Sequence, residues 1–430
     1  MTAGSSGRRP HLGVAALRSP AKEISSSRRR RFMEGVVVVD AARTPIGKYS
    51  GILKSMRPDD LGALAMRSVL ERTGVQPAAL DDVYFGCSNQ AGEDNRNVAR
   101  MATLLAGIPY TVPAATVNRL CGSGLEALNS AARVISAGEG DVVLAGGVES
   151  MTRAPLVALK PESGFRRGEV TMVDTTIGWR FVNPSFPSEY PPLSMGETAE
   201  NLAAKYGISR ESQDEFALAS HRKAVEAQKA GRFTREMIPV KTPEAPEGVS
   251  TDEGPRADTS IEKLAALKPA FLKDGSVTAG NSSGINDGAA ALLLMKAEAA
   301  ERLGLRPMAR VMGSATAGVH PSEMGIGPVH STRKLMSRLG MGAGEFGIIE
   351  LNEAFAAQVL ACAAEMHEFD PARLNPNGGA IALGHPLGCS GARLATTLLH
   401  EMKRTGTRYG LATMCIGVGQ GISTAFELLK

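Results

Sequence analysis

Short apolar runs alternate with helix-length amphipathic stretches along most of this chain, and that rhythm restricts the fold more than any other feature. Residues 36–39 are four consecutive valines, an amphipathic stretch covers 61–70, and a strand-like run follows at 83–85. A second helical stretch spans 98–106, and another apolar run, 142–145, ends in Gly146-Gly147. Short, wholly apolar runs are buried strands, and helix-length segments between them are crossovers, so the pattern predicts an α/β fold with a largely parallel, buried sheet. With 430 residues, 43% of them apolar, the chain can bury a core sufficient for two or three domains or one large duplicated one. No apolar run reaches the roughly 18 residues of a spanning helix, so no transmembrane segment is expected.

The rhythm breaks once. Residues 151–280 are richer in Pro, Arg and Glu, contain Trp179 and few strand-like runs, and include a stretch, 197–229, that reads as one helix. They are predicted to form an inserted loop domain. On either side lie an N-terminal half, 33–150 continued by 281–302, and a C-terminal half, 303–430. The halves echo each other. Cys121-Gly-Ser-Gly opens a stretch with Leu125, Leu128, Ala132 and Ile135 at helical spacing, followed by the run 142–145. Gly388-Cys-Ser-Gly opens one with Leu394, Leu398 and Leu399, followed by the run 411–414 and then Cys415. Two copies of one α/β unit facing each other would bring both glycine-rich turns to one site.

The formal charge of +4 belongs to the first 32 residues, which hold eight Lys or Arg against Glu23; the rest of the chain carries 40 basic and 43 acidic residues. No nucleic-acid surface is implied. Ser- and Arg-rich and without an apolar segment, residues 1–32 are expected to be a disordered basic extension. The expected location is the cytoplasm, with organellar import through that extension left open. Five widely spaced cysteines without a Cys-x-x-Cys pair suggest neither a disulfide framework nor a metal site.

Four positions could carry chemistry. Cys121 stands between a strand-like approach and the first turn of a helix, where free amides and the helix dipole favour a thiolate and lower the thiol pKa. Taken alone, a cysteine there is more often a small buried hydrophobe. His385 is the one imidazole in a glycine-rich stretch, either shaped for a ligand or capping loop carbonyls. Cys415 ends a buried strand before Gly417-x-Gly419-x-Gly421, whose spacing does not fit a dinucleotide fingerprint. Asn352, in Asn-Glu-Ala-Phe, follows an apolar run where a helix begins, and capping that helix is compatible with function.

Together, Asn118-Arg-Leu-Cys-Gly-Ser-Gly, Gly146-Gly-Val-Glu-Ser-Met, Asn352-Glu-Ala-Phe, Gly378-Gly-Ala-Ile-Ala-Leu-Gly-His-Pro and Cys415-Ile-Gly resemble, in order, the signatures of the thiolase family over nearly all of residues 33–430. The resemblance implies a layered αβαβα fold of two duplicated α/β halves with an inserted loop domain, here 151–280, that binds CoA. It implies an acyltransferase in which Cys121 is the nucleophile and carries the acyl thioester, His385 accepts its proton, and Cys415 is the acid or base at the substrate carbon. One oxyanion hole would come from His385 and a water held by Asn352, the other from the amides of Cys121 and Gly417. Substrate contacts carried over are Met195, Arg256, Phe271, Ala279, Ser283, Gly284, Ala354 and Phe355. Coenzyme A and acyl-CoA are implied as substrates, with no permanently bound cofactor.

The leading expectation is reversible cleavage of 3-oxoacyl-CoA by CoA to acetyl-CoA and a shortened acyl-CoA, as in fatty acid β-oxidation. The alternatives are an acetoacetyl-CoA-forming acetyltransferase and a 3-oxoadipyl-CoA thiolase. Short-chain biosynthetic members usually show His-Met-Gly where this chain has Ser194-Met195-Gly196. Residues 174–184 and 384–391 look closer to degradative and 3-oxoadipyl-CoA members. A non-catalytic CoA-binding protein would have lost the nucleophile, and a decarboxylating condensing enzyme usually has a second histidine at 415 or 352; neither description fits. The family resemblance also implies a homodimer or homotetramer, and association with other β-oxidation enzymes is a further expectation.

Overall fold

The computed structural model describes residue 33 and residues 35–429, apart from 162, 163, 165 and 166. The basic extension expected over 1–32 lies outside the described residues. Among the described residues, β1 (Val36–Arg43), β2 (Asp82–Gly86), β3 (Ala115–Val117), β4 (Val142–Ser150), β5 (Asn286–Lys296), β6 (Ala309–Gly318), β7 (Ile348–Leu351), β8 (Tyr409–Ile416) and β9 (Gln420–Leu428) join in one sheet, with the two-residue strand Gly47–Lys48 pairing beside β5 as a tenth. Their order across it is β7-β8-β9-β6-β1-β5-β4-β2-β3. The halves meet where Val37 and Val38 of β1 pair with Arg310 and Ala309 of β6.

The two halves repeat one topology. In the first, β1 is antiparallel to β5, β5 is antiparallel to β4, and β4 is parallel to β2, which is parallel to β3. In the second, β6 is antiparallel to β9, β9 is antiparallel to β8, β8 is parallel to β7, and Ile349 of β7 bridges in parallel to Leu374. The bridge at Leu374 stands where the first half has β3. This duplication is the one expected from the sequence echo, but the sheet is mixed and not largely parallel. The last strand of each half returns beside the first, and antiparallel pairing is what that return produces.

The helices α1 (Pro58–Thr73), α2 (Val98–Leu105), α3 (Ser123–Ala137), α4 (Met195–Tyr206), α5 (Arg210–Lys229), α6 (Gly327–Leu339), α7 (Ala356–Glu365) and α8 (Leu387–Thr405) complete the layers. Side chains alternate across a strand, so a doubly covered strand feeds two cores. Val143 and Ala145 of β4 enter a core with Leu125 and Leu128 of α3 and Leu394 and Leu398 of α8. Val142 and Leu144 enter another core with Met66 of α1 and Val98 of α2. In the second half Leu411 packs with Val329 of α6 and Val359 of α7, while Met414 joins the α3 and α8 core. The result is α1 and α2, the first half's part of the sheet, α3 and α8, the second half's part, then α6 and α7.

Between β4 and β5 the expected single helix over 197–229 is two. Gly207, at φ 61°, caps α4, and the Ser209 side chain accepts from the Ser212 amide to begin α5. Arg43, fully buried at the end of β1, ties this insertion to the body through Glu236 (2.6 Å) and Asp252 (2.7 Å).

Candidate active site

Chain ends of both halves converge on one region. Cys121 lies between β3 and α3, preceded by Leu120 in the left-handed region at φ 46°. His385 lies just before α8, Asn352 just after β7, Cys415 near the end of β8, and Gly417 in the β8–β9 hairpin. Phe355, not Asn352, is the N-cap residue of α7, which leaves the Asn352 side chain to another purpose.

The backbone amides of Gly417 and of Cys121 itself bond to the Cys121 thiol, an arrangement that favours the thiolate. Burial around the sulfur nevertheless wins, pushing its pKa from the ordinary 9.0 up to about 11, although part of the residue remains at the surface. The expectation that the helix N-terminus lowers this pKa is therefore corrected. Cys121 rests as a thiol and needs a base to become nucleophilic.

His385 is such a base. Its Nδ1 stands 2.6 Å from Ser390 Oγ, and that hydroxyl donates its proton to the Pro386 carbonyl (2.8 Å). Ser390 therefore accepts at Nδ1–H, and Nε2 retains its lone pair. The Asn352 amide nitrogen lies 3.4 Å from Nε2, and Asn352 Oδ1 is buried with no hydrogen-bond partner among the described residues. Burial, followed by the charge of Arg393, brings the imidazole pKa down from 6.5 to about 3. The ring is neutral at physiological pH.

Cys415 is 2% exposed and packs with Ala354, Phe355 and the partly buried Met195. Burial first, then the Cys121 sulfur, hold its thiol well above the usual range. Cys121, Gly417, Met195 and Leu387, two residues beyond His385, line a cavity of about 300 Å³. A second cavity of about 230 Å³ is lined by Arg256, Ala279 and Gly284 together with Lys48, Lys263 and Asn286. Asn286 Oδ1 accepts the His385 amide (2.9 Å), so this second cavity abuts the histidine turn. Phe271 stacks edge-on against Phe355, with centroids 6.0 Å apart, and its ring occupies the space a side chain at Gly196 would need. Ser283 is not part of the second cavity's lining and donates both its amide and its hydroxyl to the Ala354 carbonyl. Its neighbour Ser282 lines that cavity instead.

Residues 36–298 match the family model described as "Thiolase, N-terminal domain", and residues 305–428 match "Thiolase, C-terminal domain". The chain belongs to the thiolase family. It is accordingly an acyltransferase. A beta-ketoadipyl-CoA thiolase of Pseudomonas aeruginosa is 55% identical over 397 residues, covering 91% of this chain and 98% of that one. A 3-oxoadipyl-CoA/3-oxo-5,6-dehydrosuberyl-CoA thiolase of Escherichia coli is 53% identical, covering 92% and 100%. Human mitochondrial 3-ketoacyl-CoA thiolase, solved in complex with CoA, superposes with a TM-score of 0.87 at 40% identity, covering 93% and 99%.

Several residues that shape this thiolase site were not singled out by sequence reasoning. Glu149, at the end of β4, accepts the amides of Ser88 (2.9 Å), Asn89 (3.0 Å) and Gly388 (2.7 Å) and so pins the start of α8 to the cavity wall. Glu353 accepts Ser220 Oγ (2.6 Å) and Asn375 Nδ2 (2.8 Å), holding the segment that leads to His385. Glu149 and Glu353 sit inside recognised motifs, which was the available signal. The glycines that follow Cys121 serve close packing. A Cβ on Gly124 would lie 2.6 Å from the Gly388 carbonyl oxygen, and one on Gly122 2.6 Å from Ile416. They permit α3, α8 and the β8 hairpin to approach one another.

Proposed function

We propose that this thiolase cleaves a 3-oxoacyl-CoA with free CoA, through an acyl group carried on Cys121. What carries the reading is one constellation: a thiol contacted by two amides, a second thiol beside it, and a neutral imidazole whose free nitrogen faces Asn352. His385 Nε2 takes the Cys121 proton as the sulfur bonds to the 3-oxo carbon. The oxyanion that forms is met by the amides of Cys121 and Gly417. Its collapse breaks the bond between C2 and C3, leaving the electron pair on C2 and its thioester, whose oxygen faces His385 and Asn352. Cys415 protonates C2, and acetyl-CoA departs. The incoming CoA thiol gives its proton to the Cys415 thiolate and attacks the acyl carbon. Cys121 then recovers its proton from His385 as the shortened acyl-CoA leaves.

The second cavity, with Lys48, Arg256 and a Lys263 paired to Asp258 on its wall, carries net positive charge that suits the anionic part of CoA, and the inserted segment 151–280 supplies Arg256, Lys263 and Ala279 to it. We read that segment as the CoA-binding part between halves formed by 33–150 with 281–302 and by 303–430. Phe271 and Phe355 would line the pantetheine path, with Ser283 behind it. A cytoplasmic homo-oligomer is the accompanying reading; among the described residues no helix is long and apolar enough to cross a membrane.

For the substrate we favour a six-carbon 3-oxodicarboxylyl-CoA over a monocarboxylic chain of fatty acid β-oxidation, on the strength of the two relatives' names. Ser194 in place of the histidine of short-chain biosynthetic members supports the same choice. The test is the rate of thiolysis of 3-oxoadipyl-CoA beside that of acetoacetyl-CoA, with free CoA. A higher kcat/KM on 3-oxoadipyl-CoA is expected; dominance of the four-carbon substrate would reverse the ranking.

A further inference from the structure

Among the described residues, the cavity that holds Cys121 has one charged residue on its wall, Arg180. Around it stand neutral groups such as Ile177, Trp179, Met195 and Val418. Arg180 is exposed at the cavity's rim, and its guanidinium donates to the Thr175 carbonyl at 3.4 Å. It forms no ion pair with a carboxylate among the described residues. Asp174, the nearest acid in sequence, is already engaged by the Thr176 amide (2.8 Å) and hydroxyl (2.6 Å). The backbone beneath Arg180 is held in place by its neighbour. Trp179 Nε1 donates to the Leu193 carbonyl (2.9 Å), and the indole packs edge-on against Phe186 at 5.4 Å.

Charge in this cavity is not needed for CoA, because the second cavity already offers Lys48 and Arg256 beside the Lys263–Asp258 pair. The Cys121 cavity is left for the acyl chain. An unpaired guanidinium at the rim of an otherwise neutral pocket is matched by a planar carboxylate, which it binds through two parallel hydrogen bonds.

We infer that Arg180 is the specificity-determining residue that binds the distal carboxylate of a 3-oxodicarboxylyl-CoA while Cys121 attacks its 3-oxo carbon. The inference rests on the thiolysis reading above. The distal carboxylate stays with the fragment transferred to Cys121, so the contact persists in the acyl-enzyme and is absent from departing acetyl-CoA. A neutral chain of equal length leaves the guanidinium without its partner, which is how a polar site discriminates against an analogue lacking the recognised group.

The experiment compares kcat/KM for thiolysis of 3-oxoadipyl-CoA and of 3-oxohexanoyl-CoA, its equal-length neutral analogue, in the parent enzyme and in Arg180→Met and Arg180→Lys. The parent should prefer the dicarboxylate. In Arg180→Met the ratio of the two kcat/KM values should fall roughly 10- to 100-fold, and Arg180→Lys, which keeps the charge without the planar fork, should give an intermediate ratio. An unchanged ratio, whether both rates fall together or neither does, overturns the assignment. A parent that cleaves 3-oxohexanoyl-CoA but not 3-oxoadipyl-CoA overturns it and leaves thiolysis standing. A parent that cleaves neither overturns both.

Discussion

Cys121 rests with its proton on because burial outweighs the two amides that touch it, and this has a direct chemical signature. With a pKa near 11, its thiolate fraction should rise tenfold per pH unit across the neutral range. Alkylation of the Cys121 peptide by iodoacetamide, followed by mass spectrometry, should therefore accelerate steadily from pH 6 to about pH 9; a plateau below pH 8 would mean a depressed pKa. The base that compensates is set by Ser390. Ser390→Ala removes the acceptor that fixes the His385 tautomer, and a lost hydrogen bond of about 1.4 kcal/mol would lower kcat roughly tenfold. An unchanged kcat would show that Asn352 alone orients the ring. Because His385 already has a pKa near 3, the acid side of the pH profile should show no inflection near 6.5 from this residue. Cys121, His385, Cys415 and Asn352 drew notice in the sequence because each flanks a turn or strand end, but no one of these signals was decisive alone, and the roles came from the resemblance of five motifs taken together. Ser390 and Asn286 were not legible, since their contacts depend on rotamers and on a partner 99 positions away in the case of Asn286.

The crossing of α3 and α8 is the packing feature on which the site depends. It brings the turn after Cys121 against the turn after His385, with Gly124, Gly147 and Gly391 each lacking the atom that would block the approach. Gly124→Ala would place a Cβ 2.6 Å from the Gly388 carbonyl oxygen and 2.8 Å from the Ala392 nitrogen, both backbone atoms. Overpacking of this kind costs about 1–3 kcal/mol, so Tm should fall and kcat with it. A variant as stable and active as the parent would show that the two turns are not tightly coupled. Apolar runs and helical spacing made the strands and helices of the two halves readable. Strand direction was not readable, because wholly apolar runs look the same in parallel and antiparallel company. The break between α4 and α5 did have a signal, Gly207 followed by Ser209, which the long polar periodicity masked.

At the scale of the molecule, two copies of one α/β unit place a thiol from the first half beside a second thiol from the other, which also carries the paired histidine and asparagine. Weak similarity between the two glycine-rich turns hinted at this arrangement, whereas the division of labour between two cavities could only be seen in three dimensions. The cationic cavity predicts a binding effect without a chemical one. Arg256→Ala should raise KM for CoA several-fold, on the order of five to tenfold, and leave kcat nearly unaltered, because the contact is the same in ground and transition states. A fall in kcat with constant KM would place Arg256 nearer the reacting atoms. The acyl group on Cys121 remains the claim on which every other one depends. Intact-mass spectrometry of the enzyme incubated with acetyl-CoA, followed by peptide mapping, tests it. The account predicts a gain of one acetyl group per chain on the Cys121 peptide that is lost in Cys121→Ala; an adduct that persists in that variant, or that maps to Cys415, would contradict it.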